Sequence, residues 1–398
     1  MFSHIRRIHM VGIGGSGMSG IAEVLLTLGY DGSGADLKET DATSRLRGLG
    51  ARIALGHRGE QVGDAQVVVT STAVAVENPE VAEARARGIP VIPRAEMLAE
   101  LARLKYTVAI AGTHGKTTTT AMTAWVLTRG GLDPTIVIGG KFLNLGGHAR
   151  LGQGEFLVAE ADESDGSFLN LSPTIAIVTN VDDDHLDYYG SIEKIEEAFS
   201  LFTAKVPFYG AAILCVDDPR VRRLAETVTR RRVTYGTTVE AMLTAHGIHP
   251  DGWGVAFEVR RKGQRLGPIR LPIPGRHNAL NALAAVAAGL EVGVSFADAA
   301  DALAEFKGVE RRLQARGEAR GVTVVDDYGH HPTEIRATLA ALKEHYPDRR
   351  LVVMFQPHRY SRTKLLYRAF GGAFTDAGHV VLLDVYPAGE APIQGVSS

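Results

Sequence analysis

The feature that most constrains this chain is a predicted buried strand that runs into a glycine turn and then into a helix. Residues 107–111 read Thr-Val-Ala-Ile-Ala, the turn at 112–116 reads Gly-Thr-His-Gly-Lys, and four threonines follow. Backbone N–H groups at such a helix N-terminus favour anions, because the helix dipole adds to their partial positive charge. Lys116 can reach a β- or γ-phosphate, and the Thr117 hydroxyl can ligate Mg²⁺. The stretch therefore predicts a phosphate-binding loop.

The loop departs from the usual phosphate-loop pattern in one respect. Ile110 stands where the pattern has its first glycine, and a glycine arrives only two residues later. A glycine turn with a chance lysine is the alternative interpretation. Strand, turn, Lys-Thr pair and helix nevertheless occur in the order that phosphate binding requires. We expect nucleotide contacts from Gly112, Thr113, His114, Gly115, Lys116, Thr117 and Thr118.

Length and charge limit the classes of function that remain. A chain of 398 residues predicts about two to three domains. The formal net charge of −2 gives no general attraction to nucleic acid or to a membrane surface. Cys215 is the only cysteine, so an internal disulfide is excluded and a reducing, cytoplasmic location is expected. No run of about 18 apolar residues occurs, so we expect no membrane insertion. The oligomeric state cannot be predicted.

A second glycine motif lies near the N-terminus. Gly12, Gly14 and Gly17 match the pattern G-x-G-x-x-G between a predicted strand and a predicted helix, and Asp36 follows 19 residues after Gly17. This arrangement is typical of a Rossmann unit, in which the glycines approach a diphosphate and the acidic residue meets a ribose. The alternative is that the glycines only permit tight packing of the helix on the strand.

The first unit is predicted to end near Lys105. Before that point, residues 67–72 form a predicted buried strand that ends in hydroxyl side chains. Ligands of open α/β sheets bind at the carboxyl ends of the strands, so Ser71 and Thr72 are candidate contacts. A helix-capping role is the alternative for both hydroxyls.

Two acidic clusters follow predicted strands of the second unit. Residues 160–165 follow the strand at 156–159, and residues 180–187 follow the strand at 175–179. Neighbouring parallel strands end at the same edge of a sheet, so both clusters can face the phosphate loop. Carboxylate and imidazole ligands suit Mg²⁺ or Mn²⁺ held against phosphates. A solvated acidic turn is the alternative for either cluster alone.

Polar residues also open a later helix and end later strands. His277 and Asn278 begin an alanine-rich helix, and Asn281 lies one turn further on the same face. From these residues alone, a helix-capping role is the simplest interpretation, although an Asn side chain also suits an adenine edge. A third unit begins near Leu313, where polar motifs again follow predicted strands.

Together these motifs resemble those of the Mur ligases of peptidoglycan synthesis, and the resemblance covers essentially the whole chain. The histidine of the phosphate loop and the pair His330–His331 favour the branch that joins L-alanine to UDP-N-acetylmuramate. The motifs that carry the resemblance are, in order, residues 12–20, 112–117, 160–165, 184–187, 277–281, 326–332 and 356–360.

The resemblance implies an α/β protein of three domains. Residues 1–105 would form a Rossmann-like domain that binds the UDP-sugar, and residues 106–312 a central ATPase-like domain with the phosphate loop. Residues 313–398 would form a Rossmann-like domain for the amino acid. Family members usually continue beyond the motif at 386–390, so we expect this third domain to be incomplete at Ser398.

The implied reaction is ATP-driven amide formation through an acyl phosphate, with two Mg²⁺ ions, or Mn²⁺ as an alternative. Lys116, Arg312 and His185 would be catalytic, and Thr117, Glu160 and His185 would hold the ions. Binding residues are expected as follows: for the UDP-sugar, Gly12, Gly14, Gly15, Gly17, Asp36, Ser71 and Thr72; for adenine and ribose, His277, Asn278, Asn281 and Asp327; for L-alanine, His330, Arg359 and Arg362.

One position departs from several members of the family, which carry a CO₂-modified lysine on the helix after the 184–187 motif. In our alignment Phe199 takes the place of that lysine. Lys194 and Lys205 are off its helical face, because they lie five residues before it and six after. We therefore expect Phe199 to be a core residue and activity to be independent of bicarbonate. The second ion would rely on His185, phosphate oxygens, substrate and water.

Three other functions remain as alternatives. A related ligase could attach a recycled peptide to the same sugar nucleotide. A nicotinamide-dependent oxidoreductase would explain Gly12–Gly17 and Asp36, but it leaves Lys116, Glu160 and His185 without a role. A nucleotide-binding protein without catalysis is the third alternative.

Overall fold

A computed structural model describes residues 4–71, 74–75 and 77–398, with the side chain of Ser16 left undescribed. The first unit is a five-stranded parallel sheet in the order β3-β2-β1-β4-β5, covered by helices. The glycine motif forms the turn between β1 and α1. The elements are β1 (Arg7–Val11), α1 (Ser16–Thr27), β2 (Asp31–Asp36), α2 (Asp41–Gly48), β3 (Arg52–Leu55), β4 (Val67–Thr70), α3 (Pro79–Ala86), β5 (Val91–Pro93) and α4 (Arg94–Ala102).

The second unit is built on a ten-stranded sheet in the order β15-β14-β13-β12-β11-β10-β6-β9-β7-β8. Its elements are β6 (Tyr106–Ala111), α5 (Lys116–Arg129), β7 (Thr135–Phe142), β8 (Gly147–Arg150), β9 (Phe156–Glu160), β10 (Ile175–Val178), α6 (Leu186–Tyr189), α7 (Ile192–Ala204), β11 (Ala211–Cys215), α8 (Pro219–Thr227), β12 (Arg232–Gly236), β13 (Leu243–Asp251), β14 (Gly254–Arg261), β15 (Gln264–Leu271), α9 (Arg276–Glu291) and α10 (Phe296–Ala304).

Strand β6 carries the phosphate loop and lies between the two strands that carry the acidic clusters. It pairs in parallel with β9 on one side and with β10 on the other, and residues 107–111 are buried. A strand covered on both faces is expected to be continuously apolar, which explains its sequence. The predicted convergence of both clusters on the loop is confirmed by this strand order.

The third unit contains two separate strand pairs among the described residues. Strands β16 and β17 form an antiparallel hairpin, whereas β18 and β19 pair in parallel. Strand β17 therefore pairs with its preceding neighbour β16 and not with β18. The elements are β16 (Gln314–Ala319), β17 (Val322–Asp326), α11 (Pro332–His345), β18 (Val352–Phe355), α12 (Tyr360–Gly371) and β19 (His379–Leu382).

The first and second units share one continuous apolar core. Residues such as Ile8 and Met18 of the first unit belong to the same buried cluster as Ala109 and Ala149 of the second. Helix α1 packs closely on β8, since a Cβ atom at Gly20 would lie 3.3 Å from the Ala149 Cβ. The third unit has its own small cluster around α11 and β18. No helix in the described ranges has the length and apolar character needed to cross a membrane.

Candidate nucleotide and substrate site

The phosphate loop requires glycine at two positions. Gly112 has a φ of +133° and Gly115 a φ of +81°, both in the region that side chains disfavour. A Cβ atom at Gly112 would also lie 2.0 Å from the Thr179 Oγ1. Gly112 thus takes the place of the glycine that the usual pattern has at position 110. It must be a glycine because the loop passes close to the end of β10 at this point.

The end of β10 fixes the shape of this loop through hydrogen bonds. The Asn180 Oδ1 accepts the backbone N–H of His114 at 2.8 Å, and the Asn180 carbonyl accepts the N–H of Thr113 at 3.1 Å. The Thr179 hydroxyl donates to the His114 carbonyl at 2.6 Å. Neither Thr179 nor Asn180 was predicted as a site residue, although both stand at the end of a predicted strand.

Lys116 lies at the start of α5 in a buried ion pair with Glu163. The two charged atoms are 2.8 Å apart, and the ammonium group also donates to the carbonyls of Gly112 and Thr113. Burial lowers the pKa of Lys116, but Glu163, Asp162 and Glu160 outweigh burial and raise it, so the amine is charged. Burial raises the pKa of Glu163 to about 7, although Lys116 acts in the opposite direction.

The predicted metal ligands Thr117 and Glu160 lie together beside the loop. The Thr117 hydroxyl donates to Glu160 Oε1 at 2.9 Å, and the backbone N–H of Gly139 donates to Oε2 at 2.9 Å. A hydroxyl and a carboxylate held in this way are the hard oxygen donors that Mg²⁺ prefers. The geometry therefore fits a magnesium ion bound against phosphates.

The third predicted ligand, His185, reaches the same region from the second acidic cluster. Its Nε2 lies 3.6 Å from Asp184 Oδ2 and 3.9 Å from Glu163 Oε1. The residue has a φ of +56°, which turns the chain at the start of α6. Burial, chiefly, lowers the pKa of His185. Its ring is thus in the neutral form that can ligate a metal.

A cavity of about 410 Å³ lies next to the phosphate loop. This volume falls in the range of small-molecule sites, about 300–1,000 Å³. The second and third units both contribute to its wall. Predicted nucleotide contacts that line the cavity are His114, Gly115, Thr118, His277, Asn278, Asn281, Arg312 and Asp327.

The capping interpretation of the residues that open α9 is wrong. The helix begins at Arg276 with Gly275 at its N-cap, and no side chain among the described residues caps it. Instead, Asn278 Nδ2 donates to the Pro274 carbonyl at 2.7 Å, and Asn281 Nδ2 donates to Asn278 Oδ1 at 3.1 Å. These bonds orient both amides at the cavity wall. The predicted common face of the two asparagines is confirmed.

Two residues of the junction between the second and third units complete the cavity wall. The Asp327 carboxylate accepts the N–H of Leu313 at 2.8 Å and of Gly329 at 2.7 Å, so it shapes the junction loop. Burial raises the pKa of Asp327. Arg312 lies over the ring of Tyr328, with its guanidinium carbon 5.2 Å from the ring centre. The structure thus brings both predicted residues to the nucleotide cavity.

The predicted alanine contacts converge on the second acidic cluster. The Arg362 guanidinium is buried 3.5 Å from the Asp184 carboxylate, and Arg359 lies 3.5 Å from Asp187. The His330 ring is 5.9 Å from that of His358, which in turn contacts Arg362. Burial, chiefly, lowers the pKa of His330 to about 4. Arg359 and Arg362 therefore pair with the segment that carries His185, and His330 adjoins them through His358.

A polar cluster at the same junction was not predicted. Asp182 Oδ2 lies 3.0 Å from His114 Nε2 and 3.6 Å from His331 Nδ1, and it accepts the Thr333 hydroxyl at 2.7 Å. Ligand atoms of the two histidines and Asp182 lie within 4.8 Å of one another. Glu334 completes the cluster. Its spacing of three residues from His331 is that of a capping box, which is the signal that could have identified it.

In the first unit, the structure brings the predicted glycines together with Asp36. The N–H of Gly14 donates to Asp36 Oδ2 at 2.8 Å, so the carboxylate shapes the glycine turn. Gly12 has a φ of +74°, and Gly15 is the N-cap of α1. Gly17 lies under Arg94, whose guanidinium is 3.6 Å from Asp162 of the second unit. Ser71 follows β4, and Thr72 lies outside the described residues.

Comparisons with known proteins follow the same division of the chain. A model described as Mur ligase family, catalytic domain, matches residues 7–106. The Mur ligase middle domain matches residues 110–289. A model described as Mur ligase, glutamate ligase domain, matches residues 311–397.

Named relatives match along the whole chain. The UDP-N-acetylmuramate–L-alanine ligase of Geobacter sulfurreducens is 60% identical over 100% of this chain and 86% of its own length. The ligase of the same name from Desulfatibacillum aliphaticivorans is 57% identical over 98% of this chain and 86% of its own length.

Solved structures show the same relationship. The UDP-N-acetylmuramate–alanine ligase of Thermotoga maritima is 34% identical, with a TM-score of 0.83 over 96% of this chain and 86% of the other. A murein peptide ligase of Psychrobacter arcticus is 27% identical, with a TM-score of 0.77 over 94% and 84%. Three matching domain models and full-length relatives at this identity show that the chain belongs to the Mur ligase family.

Proposed function

We propose that this chain joins L-alanine to the lactyl carboxylate of UDP-N-acetylmuramate, with conversion of ATP to ADP and phosphate. The main observation in support of this chemistry is the buried pair Lys116–Glu163 at the phosphate loop. The contact between Thr117 and Glu160 lies beside the same loop, and His185 lies near Glu163. The identity of the substrates is supported by relatives of that name at 57–60% identity. Mur ligases are ATP-dependent, which fits the cavity beside the loop.

The reaction must activate a carboxylate, which is a poor acyl donor at neutral pH. The lactyl carboxylate attacks the γ-phosphorus of ATP, and ADP leaves as the acyl phosphate forms. The alanine amine then attacks the acyl carbon, phosphate leaves and the amide remains. The main barrier is the repulsion between the carboxylate and the ATP phosphates. Positive charge at the loop would therefore contribute most to catalysis, because it offsets that repulsion. Lys116 and Arg312 would provide that charge from the second unit and from its junction with the third.

Mg²⁺ would neutralise the phosphate oxygens when bound. Thr117 and Glu160 would hold one ion and His185 a second, and Mn²⁺ is an alternative ion at the same ligands. Thr117 and Glu160 are already in contact, and the neutral ring of His185 lies 3.9 Å from Glu163 Oε1. The orientation of these donors supports this assignment.

The remaining contacts divide among the three units. We assign adenine and ribose to Asn278, Asn281, His277 and Asp327 at the cavity wall, because their side chains are held there by hydrogen bonds or by burial. UDP would bind at the glycine turn between β1 and α1, in the domain at 1–105. The central domain would be 106–312 and the amino-acid domain 313–398, with a cytoplasmic location.

The alanine site is proposed at the junction of the third unit with the second acidic cluster. Arg359 and Arg362 pair with the segment 184–187 there, and His330 lies next to them beside His358. A guanidinium group suits the carboxylate of an amino acid through paired hydrogen bonds. The position next to His185 would bring the amine of alanine close to the acyl phosphate.

The proposal is tested by phosphate release with ATP, UDP-N-acetylmuramate or L-alanine omitted in turn. Release that requires all three supports it. Release with L-alanyl-γ-D-glutamyl-meso-diaminopimelate in place of L-alanine would indicate the peptide-adding activity instead. Normal ATP affinity without any turnover would indicate a binding protein, and NADH binding at micromolar protein would count against a ligase.

A further inference from the structure

One carboxylate, that of Glu334 on α11, contacts both sides of the junction between the second and third units. Its Oε2 accepts the backbone N–H of His330 at 3.0 Å and of His331 at 3.2 Å. Its Oε1 lies 3.5 Å from His114 Nδ1 of the phosphate loop and 3.7 Å from an Arg312 nitrogen. Only 13% of the side chain is exposed, so little water competes for these contacts.

His114 is held from two directions by this arrangement. Its Nε2 faces Asp182 of its own unit, while its Nδ1 faces Glu334 of the third unit. Burial lowers the pKa of His114, but hydrogen bonds and charges from the two carboxylates outweigh burial and raise it to about 9. The ring is therefore a cation between two carboxylates, and both contacts are ion pairs.

The orientation of Glu334 is fixed independently of His114. Two backbone N–H groups at the N-terminus of α11 engage Oε2, which leaves Oε1 directed at the loop and at Arg312. The pKa of Glu334 is well below its usual range, because His114, His330 and Arg312 outweigh the effect of burial. A charged, oriented carboxylate of this kind can determine where two cationic groups lie relative to each other.

We propose that Glu334 is a positioning residue that sets the phosphate loop, through His114, and the Arg312 guanidinium relative to the third unit. It lines the nucleotide cavity, and we assign its role to the contacts that it makes with these two side chains. The inference rests on the proposed nucleotide site but goes beyond it, since it assigns alignment of that site to a residue of the amino-acid domain. Misplacement of reacting groups by about 1 Å can cost about 10²-fold in rate, so such a role has a measurable effect.

The first test compares Glu334→Gln with the control Glu344→Gln, an exposed glutamate near the other end of α11. Glutamine keeps an oxygen that can accept the two N–H groups but loses the charge that faces His114 and Arg312. We expect Glu334→Gln to lower kcat/KM for ATP by about 10- to 100-fold. Its UDP-sugar affinity should match that of the control, and its melting temperature should fall modestly because one of the two charges that face His114 is lost. Wild-type kinetics in Glu334→Gln would show that the residue is only a helix cap.

A double-mutant cycle with His114→Gln separates positioning from a general loss of activity. If Glu334 acts through His114, the fold decrease in kcat/KM for ATP in the double variant should be much smaller than the product of the two single fold decreases. Independent, multiplicative losses would overturn the proposal. If Glu334→Gln melts well below the control, Glu334→Asp is compared instead, because it keeps the charge but withdraws it by about 1.5 Å. Wild-type kinetics in that variant would likewise overturn the proposal.

ATP affinity measured by calorimetry in the same variants does not depend on turnover. We expect it to fall in Glu334→Gln and to stay unchanged in Glu344→Gln. A wild-type chain that binds ATP but does not use L-alanine would refute the proposed function, whereas the affinity comparison would still test Glu334. Equal ATP affinity and equal turnover in the two variants would refute the positioning role alone.

Discussion

The Lys116 ammonium group lies 2.8 Å from the Glu163 carboxylate, and neither side chain is exposed by more than 14%. The second carboxylate oxygen of Glu163 is buried and accepts no hydrogen bond from the described residues. Lys116 is thus held at the phosphate loop by a protein carboxylate. A nucleotide phosphate would have to compete with that carboxylate for Lys116, so we expect the loss of this lysine to affect ATP chemistry first.

Replacement of this lysine gives the first prediction. Lys116→Ala should lower turnover by about 10³-fold or more, because it removes the charge that stabilises the transferring phosphoryl group. UDP-sugar affinity should change little, since the glycine turn belongs to the first unit. Phosphate release and calorimetry measure the two effects. Lys194→Ala, at an exposed site on α7, is the control. A UDP-sugar affinity that falls as steeply as turnover would contradict the assignment of sugar-nucleotide binding and phosphoryl transfer to different units.

Metal dependence gives a second prediction. Glu160→Gln should raise the Mg²⁺ concentration needed for half-maximal turnover by about 10- to 100-fold, since even a partner of a metal ligand commonly contributes that much to affinity. The measurement is phosphate release across a Mg²⁺ titration. The control is Glu155→Gln, at an exposed position just before β9. An unchanged titration curve in Glu160→Gln would exclude this carboxylate as a ligand.

The glycine turn of the first unit gives a third prediction. A Cβ atom at Gly14 would lie 2.9 Å from the Asp36 carboxylate and 2.9 Å from the Thr43 methyl, so Gly14→Ala must displace the turn. We expect UDP-sugar affinity to fall by about 10- to 100-fold, equivalent to about 1–3 kcal/mol of overpacking. ATP affinity should not change. Gly48→Ala is the matched control, because open space surrounds that position.

The position of Phe199 gives a fourth prediction. Its ring is fully buried and lies 5.3 Å from that of Phe168, as expected of a core residue. Phe199→Ala should lower the free energy of unfolding by about 3–5 kcal/mol, whereas Phe208→Ala, at a ring that is 86% exposed, should change it little. Chemical denaturation measures both values. Turnover should not respond to bicarbonate in degassed buffer. A ¹³C carbamate signal on Lys194 or Lys205, with CO₂-dependent rates, would show that the alignment is wrong.

The pH dependence of stability gives a fifth prediction. Folding raises the pKa of His114 from 6.5 to about 9, so it stabilises the protonated ring. This contribution is complete below pH about 6.5 and is lost as the pH rises through about 9, with a total of about 3 kcal/mol. The difference in unfolding free energy between wild type and His114→Gln should shrink over that range. His277 and His330, with pKa values of about 4, titrate elsewhere. A difference that stays constant from pH 6 to 9.5 would contradict the assignment.

The local parts of the site could be predicted from the sequence. The strand, turn and helix at 107–126 carry their own signals: an apolar run, glycines at strained positions and a lysine at the start of the helix. The positions of Thr117 and Glu160 followed from the rule that polar residues at strand ends share one edge of a sheet. Each of these inferences needed only the neighbouring sequence and the parallel pairing of strands.

The contacts between units could not be predicted in the same way. Glu334 meets His114 only because the third unit packs over the phosphate loop, and no local pattern records that packing. The cap interpretation of His277 and Asn278 was wrong because a polar residue at a helix start has the same local signature whether it caps the helix or lines a cavity. That distinction depends on what lies opposite, which is here the cavity beside the phosphate loop.

The shared core of the first two units has a mechanical consequence. Since α1 packs directly on β8, the glycine turn of the first unit and the phosphate loop share one core, and heat should melt them in a single transition. The small core around α11 and β18 should melt separately. Three chemical tasks would then be carried by two mechanical parts. The lactyl carboxylate and the γ-phosphate would be held by the first part, while the second part would hold alanine and, through Glu334, align the phosphate loop.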